Sequence, residues 1–363
     1  FAGVGNSFTS KNLSATAKIA DKQEVNVLKI AQLSDVHFDT KTKSTTKRLY
    51  GESAKLLEDA ISQINQLDNL DLVVFSGDVV NRPDENDFIK FIQTANKLGY
   101  PWLSAPGNHD IGAGGGLSKS KYALLLTSHN RTFNSTKPYY SYVPKKGYVV
   151  IFLDGTNDVD ITANGKFKEE QLKWLDNELR KYKSSKAIIV QHFPVIEPFK
   201  SLTHKVLNAD EYLKVIDKHK NVVAVLSGHY HATRIQTRNN VVHVSSPALI
   251  EYPNAFRIIT FKDYPQNIEI NFKFMETGLK DLQSLSKSKS KSFLLSSGQA
   301  NDQDATIILS KDKVVVDDTS DDKEITKKIL SEDTEKEEIK ETLPDKKPKS
   351  KKQSIIPGFS LWK

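Results

Sequence analysis

Five short blocks hold most of the side chains that could bind a metal ion or move a proton: Asp35-Val36-His37, Gly77-Asp78, Asn108-His109-Asp110, His192 and Gly228-His229-Tyr230-His231. The third follows the turn Ser104-Ala105-Pro106-Gly107, where Pro and Gly break an extended run and expose three polar side chains in succession. Such a turn offers a cation the amide oxygen of Asn108 and a substrate the proton of His109, with the Asp110 carboxylate to steer that imidazole. In Asp35-Val36-His37, the i, i+2 spacing on an extended segment turns both side chains the same way, so that both reach one ion. Singly, each block has a plainer account, because Gly-Asp and His-x-His arise often by chance and a lone His is usually a surface or capped core residue. Together and in order, the five point to one site assembled from distant segments.

The elements that must position these blocks are strands. Apolar runs at 27–33, 72–75, 100–103, 187–190 and 222–226 each end just before one block. Between them, helical periodicity predicts helices over 52–67 (Leu56, Leu57, Ala60, Ile61, Ile64), 84–98 (Phe88, Phe91, Ile92, Ala95) and 168–182 (Leu172, Trp174, Leu175, Leu179). A further helix runs from Asn208, read as its cap, to about residue 219. A hairpin is expected over 139–143 and 148–153, and strands at 233–237, 241–245, 256–261 and 268–274. This β-α-β rhythm predicts an α/β fold that binds its ligand at the carboxyl edge of the sheet.

The 363 residues, 38% hydrophobic, suffice for one large catalytic domain with appendages. The expected division is an extension over 1–25, a domain over 26–275 and a charged, low-complexity tail over 276–363. Within that tail lie the Lys-Ser repeat of 287–292, a small hairpin over 306–316 and an apolar end at 355–362. The apolar end would fold back on the domain or dock on a partner. Deleting the whole tail is expected to leave turnover of small substrates unchanged. A net charge of +7 suits anionic partners, but Lys-rich chains are often basic for solubility alone, and no stable nucleic-acid complex is expected. The absence of cysteine excludes disulfides, thiolate metal sites and a cysteine nucleophile. No apolar run approaches the roughly 18 residues of a membrane helix, so the chain reads as soluble. Its first residues, Phe1 to Gly5, fit either a processed terminus or a cut boundary, which leaves cytoplasm and export both open. The run Gly112-Ala113-Gly114-Gly115-Gly116 suits a connector better than a phosphate cradle.

At the five blocks, and over roughly residues 26 to 262, the chain resembles the calcineurin-like metallophosphoesterase superfamily. The resemblance implies a four-layer α/β/β/α sandwich of two mixed sheets, with two metal ions between the sheet edges. On the family's pattern, the first metal takes Asp35, His37, Asp78 and His231. The second takes Asp78, Asn108, His192 and His229, so that Asp78 bridges. Imidazole and carboxylate donors suit Mn, Fe or Zn. The implied activity is hydrolysis of phosphate esters by a metal-bridging hydroxide, since two metals about 3.5 to 4 Å apart can activate water and clamp both attacking and leaving oxygens. His109 then protonates the leaving group, Asp110 holds its other ring nitrogen, and Asn108 and His109 meet the substrate.

Within the superfamily, Val79, Val80, Asn81 and Arg82 after Gly77-Asp78 lack the tyrosine ligand of purple acid phosphatases. Asp110, the 51–61 segment, Ser246-Pro247-Ala248-Leu249 and Arg257 look more like bacterial class III cyclic nucleotide phosphodiesterases. A phosphodiesterase is therefore expected, with cyclic nucleotides among its substrates. The alternatives are a broad phosphomonoesterase or pyrophosphatase on the same site, and a non-catalytic scaffold, which the full ligand set disfavours. His204 is a candidate substrate contact in an irregular segment. Tyr230 and Tyr252 either stack on a base or pack the pocket wall. His129, His219 and His243 read as surface or loop residues, and Lys41, Lys43, Lys47 and Arg48 as a solvated loop or a phosphate-attracting rim.

Overall fold

Successive residues of a strand face opposite sides, and the chain uses that alternation to build two cores. Val149, Ile151, Ala187, Ile189, Val225 and Val241 pack into one core, whereas Val150, Phe152, Ile188, Val190, Ala224, Leu226 and Val242 pack into the other. The strands between are therefore covered on both faces. The computed structural model describes residues 25–112, 117–160 and 162–311.

In chain order, β1 (Asn26–Leu33), β2 (Leu72–Ser76) and β3 (Trp102–Ala105) run parallel in the first sheet. Next, β4 (Tyr140–Tyr142), β5 (Tyr148–Phe152), β6 (Lys186–Val190), β7 (Val222–Ser227), β8 (Arg234–Arg238) and β9 (Val241–Ser245) form the second, in the order β4-β5-β6-β7-β9-β8. The chain then returns through β10 (Ala255–Asp263), β11 (Asn267–Glu276) and β12 (Ala305–Ser310), which extend the first sheet to β12-β11-β10-β1-β2-β3. Both sheets are mixed, as expected. Helices α1 (Ser53–Asn65), α2 (Glu85–Ala95) and α3 (Lys119–His129) cover the first sheet, with Phe91 edge-on to Phe75 at 5.1 Å between ring centroids. On the second sheet, α4 (Glu169–Lys181) and α5 (Ala209–Ile216) bury Leu172, Leu175, Leu179, Tyr212 and Ile216. The layering is α/β/β/α.

Three local features depart from the sequence reading or are absent from it. Helix α3 escaped periodicity because its apolar residues do not keep to one face: Leu125 and Leu126 are buried while Leu124 is 57% exposed. Asn208 stands before α5 but does not cap it. Its amide accepts from Phe167 N (3.1 Å) and donates to Phe167 O (2.8 Å), bracing the approach to α4. The third change is larger. Helices α6 (Lys280–Lys289), α7 (Phe293–Ser297) and α8 (Ala300–Gln303) occupy the start of the expected tail, and Thr306–Leu309 pair with β11. Residues 313–316, the other half of that expected hairpin, lie outside the described residues, as do 1–24, 113–116 and the remaining tail. No helix among the described residues is long and apolar enough to cross a membrane.

Side-chain chemistry explains why a Lys-Ser-rich stretch is ordered here. Gln283 Nε2 donates to Pro253 O (2.9 Å), Ser286 Oγ donates to Lys47 O (2.6 Å), and Lys287 Nζ lies over the rings of Tyr252 (5.0 Å) and Phe293 (5.1 Å). Arg257, wholly buried, donates to Asp302 O (2.6 Å) and Gln303 O (3.1 Å). Ending the chain at residue 276 removes both carbonyl partners of that guanidinium and strips the β11 edge, so this truncation should be destabilising, by roughly the 1.5–3 kcal/mol that a hydrogen bond to a charged group contributes. Thermal and urea melts of the truncated chain check this, and an unchanged stability would show residues 280–310 to be dispensable.

Candidate active site

The ends of β1, β2, β6 and β7 meet along one edge, tied by loop hydrogen bonds. Asp35 N donates to Gly77 O (3.1 Å), His37 N to Asp78 O (2.9 Å) and Gly228 N to His192 O (3.0 Å). Two amides reach the carboxylates directly: His229 N lies 3.1 and 3.2 Å from the Asp35 oxygens, and His109 N donates to Asp78 Oδ1 at 2.8 Å. The backbone here is strained. Among the described residues, the non-glycine positions with positive φ are Asp35, His37, Asp78, His229 and His231, besides four asparagines. Asparagine, aspartate and histidine enter the left-handed region more readily than other side chains, and five aspartates and histidines held there by three loops that meet at one edge mark a functional constraint. Gly107 follows from the same crowding, since a Cβ at that position would overlap the Asp78 carboxylate.

The side chains converge as the backbone suggests. His37 Nε2 lies 3.2 Å from His231 Nε2, and His231 Nε2 lies 3.2 Å from Asp35 Oδ1. Beside them, His192 Nε2 is 3.1 Å from His229 Nδ1 and 3.0 Å from Asp78 Oδ2. Asp78 Oδ2 is also 3.8 Å from His37 Nε2, so this one carboxylate faces both groups. All six of these residues are buried. Asn108 Oδ1 is buried with no hydrogen-bond partner. Pairs of imidazole nitrogens facing one another beside carboxylates, with an orphaned amide oxygen, form a donor set that fits metal ions of the Mn, Fe or Zn kind.

The sequence pattern described as calcineurin-like phosphoesterase matches residues 28–233, more than half of the chain. The chain belongs to the calcineurin-like phosphoesterase family. It is 28% identical over 270 residues to a probable cyclic nucleotide phosphodiesterase of Fibrobacter succinogenes, covering 70% of this chain and 94% of that one. A probable glycerophosphodiester phosphodiesterase of Arcobacter nitrofigilis is 23% identical, over 59% of this chain and 75% of the relative. In fold, the phosphoesterase is similar to a dimetal phosphatase from Danio rerio, with a TM-score of 0.53 at 18% identity, covering 69% of this chain and 99% of that one.

Electrostatics in this phosphoesterase favour cations between its carboxylates. Burial, reinforced by His109, holds His37 well below the usual imidazole range, and burial with His192 does the same to His229. Both rings are therefore neutral and keep a lone pair for a ligand. Burial also opposes charge on His192, but the Asp78 carboxylate overcomes it and raises His192 to about 9. Asp78 is correspondingly held well below the usual carboxylate range, because His192 and His109 outweigh its burial.

Two of the rings are aimed by backbone carbonyls. His192 Nδ1 donates to Ser76 O (2.9 Å), which turns Nε2 to the centre, and His109 Nδ1 donates to Asn81 O (2.7 Å). The second contact corrects an expectation: Asp110 does not orient His109. The carboxylate of Asp110 accepts from Gly107 N (2.8 Å) and Val80 N (3.0 Å), because the turn folds it under its own backbone. Burial, then the Asp78 charge, raises Asp110 to about 8. Asp110 thus shapes the loop, and Asn81, itself held by Asp39 Oδ2 at 2.7 Å, aims the imidazole. Sequence offered no sign of a main-chain acceptor.

Among the expected substrate contacts, His204 lies beside the cluster, its ring centroid 5.0 Å from that of His229, with Thr203 Oγ1 2.9 Å from its Nδ1. Tyr252 instead packs against α6 and α7 beneath Lys287. Tyr230 is buried, its hydroxyl donating to Glu197 (3.1 Å) and its ring edge-on to Phe199. Lys47 and Arg48 are not solvated: their side chains are 19% and 15% exposed and both approach Glu251, a buried carboxylate that sequence did not single out. His243, expected at the surface, is buried in β9.

Proposed function

We propose that the phosphoesterase cleaves phosphodiesters at a two-metal centre in which Asp35, His37, Asp78 and His231 hold one ion and Asp78, Asn108, His192 and His229 the other. The observation that carries this reading is the place of Asp78, whose Oδ2 faces His192 on one side and His37 on the other. Bound there, two such ions lower the pKa of water and polarise a phosphoryl oxygen. Five neutral or amide donors and only two carboxylates surround the centre, so it keeps net positive charge and attracts a phosphate ester. His109, with Nδ1 committed to Asn81 O, presents Nε2 toward the same space and protonates the leaving oxygen. Asn108 meets the phosphoryl group from the adjoining position. The buried setting around His37 and His192 limits competing water and strengthens each of these contacts.

The names carried by relatives favour diesters over monoesters, cyclic nucleotides and glycerophosphodiesters being the substrates to try first. Purified protein supplied with Mn, Fe or Zn should hydrolyse bis-p-nitrophenyl phosphate and cyclic AMP faster than p-nitrophenyl phosphate. A preference for the monoester would replace this reading with a phosphomonoesterase. Metal-loaded protein inert to all three would replace it with a scaffold.

A further inference from the structure

His231 differs from His192 and His109 in what stands behind its ring. Those two rest Nδ1 on a main-chain carbonyl, whereas His231 Nδ1 lies 3.4 Å from Glu251 Oε2. Glu251 is 2% exposed, which requires partners for its charge. It has them in Arg48 Nε at 3.5 Å and Lys47 Nζ at 3.8 Å. The backbone fixes this cluster against the centre: Ile250 N donates to Asp35 O (3.1 Å), Leu249 N to Ser34 O (3.0 Å) and Leu49 N to Ile250 O (2.9 Å). From the far side, Ser286 Oγ accepts from Tyr252 N (2.7 Å) and donates to Lys47 O (2.6 Å). Three distant segments therefore converge on the back of one imidazole.

We infer that Glu251 is a positioning residue that sets the metal affinity of the His231 site, making the two sites of the centre unequal. The inference rests on the metal assignment proposed above. A carboxylate behind a ligating imidazole fixes its tautomer, with the proton on Nδ1, and makes Nε2 a stronger donor. A main-chain carbonyl does the first and supplies no charge for the second. Lys47 and Arg48 hold the carboxylate in place and moderate its charge, and α6 holds Lys47. The segment beyond the pattern match at 28–233 is thus connected to His231 through the hydrogen bond of Ser286 to Lys47 O, the ion pair of Lys47 with Glu251 and the approach of Glu251 to the ring.

The test is metal affinity, read without turnover. Wild type and Glu251→Gln are titrated with Mn²⁺ and with Zn²⁺ against a chromophoric chelator, with His231→Ala marking which of the two sites belongs to His231. Glu251→Gln should weaken that site by about 10- to 100-fold and leave the other within about twofold. Equal weakening of both sites, or of neither, would overturn the inference. Glu251→Asp keeps the charge and the two cations but withdraws the carboxylate by one methylene, and it carries the same test if circular dichroism shows Glu251→Gln to be misfolded. A wild type that takes up no metal would count against the proposed function instead, so the two failures are distinguishable.

Discussion

Asp78→Asn should leave a folded protein that no longer retains its metals, with hydrolysis of every phosphate ester falling by at least the roughly 10²- to 10³-fold that losing one preorganised electrostatic contact costs. The amide keeps an oxygen to accept from His109 N, as Asp78 Oδ1 does at 2.8 Å. What it cannot reproduce is Oδ2, which faces His192 Nε2 at 3.0 Å and His37 Nε2 at 3.8 Å. An NH₂ group there offers protons to two nitrogens that are needed as lone-pair donors. On the proposed assignment the loss falls on both sites at once, unlike substitution of His231 or Asn108, which would belong to one site each. Metal quantitation on the purified variant checks this, and two retained ions with near-native rates would remove the shared role of Asp78.

His109→Ala has the second-largest expected effect, and its signature is selective. Removing a general acid costs about 10²- to 10⁴-fold when the leaving alcohol is a poor one and far less when that alcohol is already acidic. Turnover of alkyl phosphodiesters should therefore collapse while p-nitrophenyl esters lose little, with metal content unchanged. The orientation of the ring by Asn81 O leads to the same expectation, because Nδ1 is committed and Nε2 alone remains to give up a proton. Equal losses on both substrate types would assign His109 to binding.

The five blocks were legible because each needs a strand to deliver it and a turn to expose it, and both leave marks in sequence. Apolar runs precede Asp35, Gly77, His192 and Gly228, and glycine or proline sits where the backbone must bend. What joins the blocks was not legible. The Nδ1 contact of His109 goes to the main chain of Asn81, and any residue type supplies a carbonyl. Asp110, adjacent in sequence and of the right chemistry, was the natural but incorrect choice, since consecutive residues of a turn point apart. Glu251 was invisible for a different reason. It lies 20 residues past His231, and backbone bonds of Leu249 and Ile250 to Ser34 and Asp35 bring it near. Composition misled at α6, where lysine and serine suggest a solvated segment. A lysine over two aromatic rings and a serine bonded to a main-chain carbonyl hold it to the body. The φ values of Asp35, His37, Asp78, His229 and His231 carry the clearest structural mark of function, and sequence gives no access to them.

Anomalous diffraction from crystals grown with Mn²⁺ tests the shared centre most directly. Two peaks about 3.5 to 4 Å apart, one on each side of the Asp78 carboxylate, are the predicted result. A single peak, or two that do not share Asp78, would contradict it.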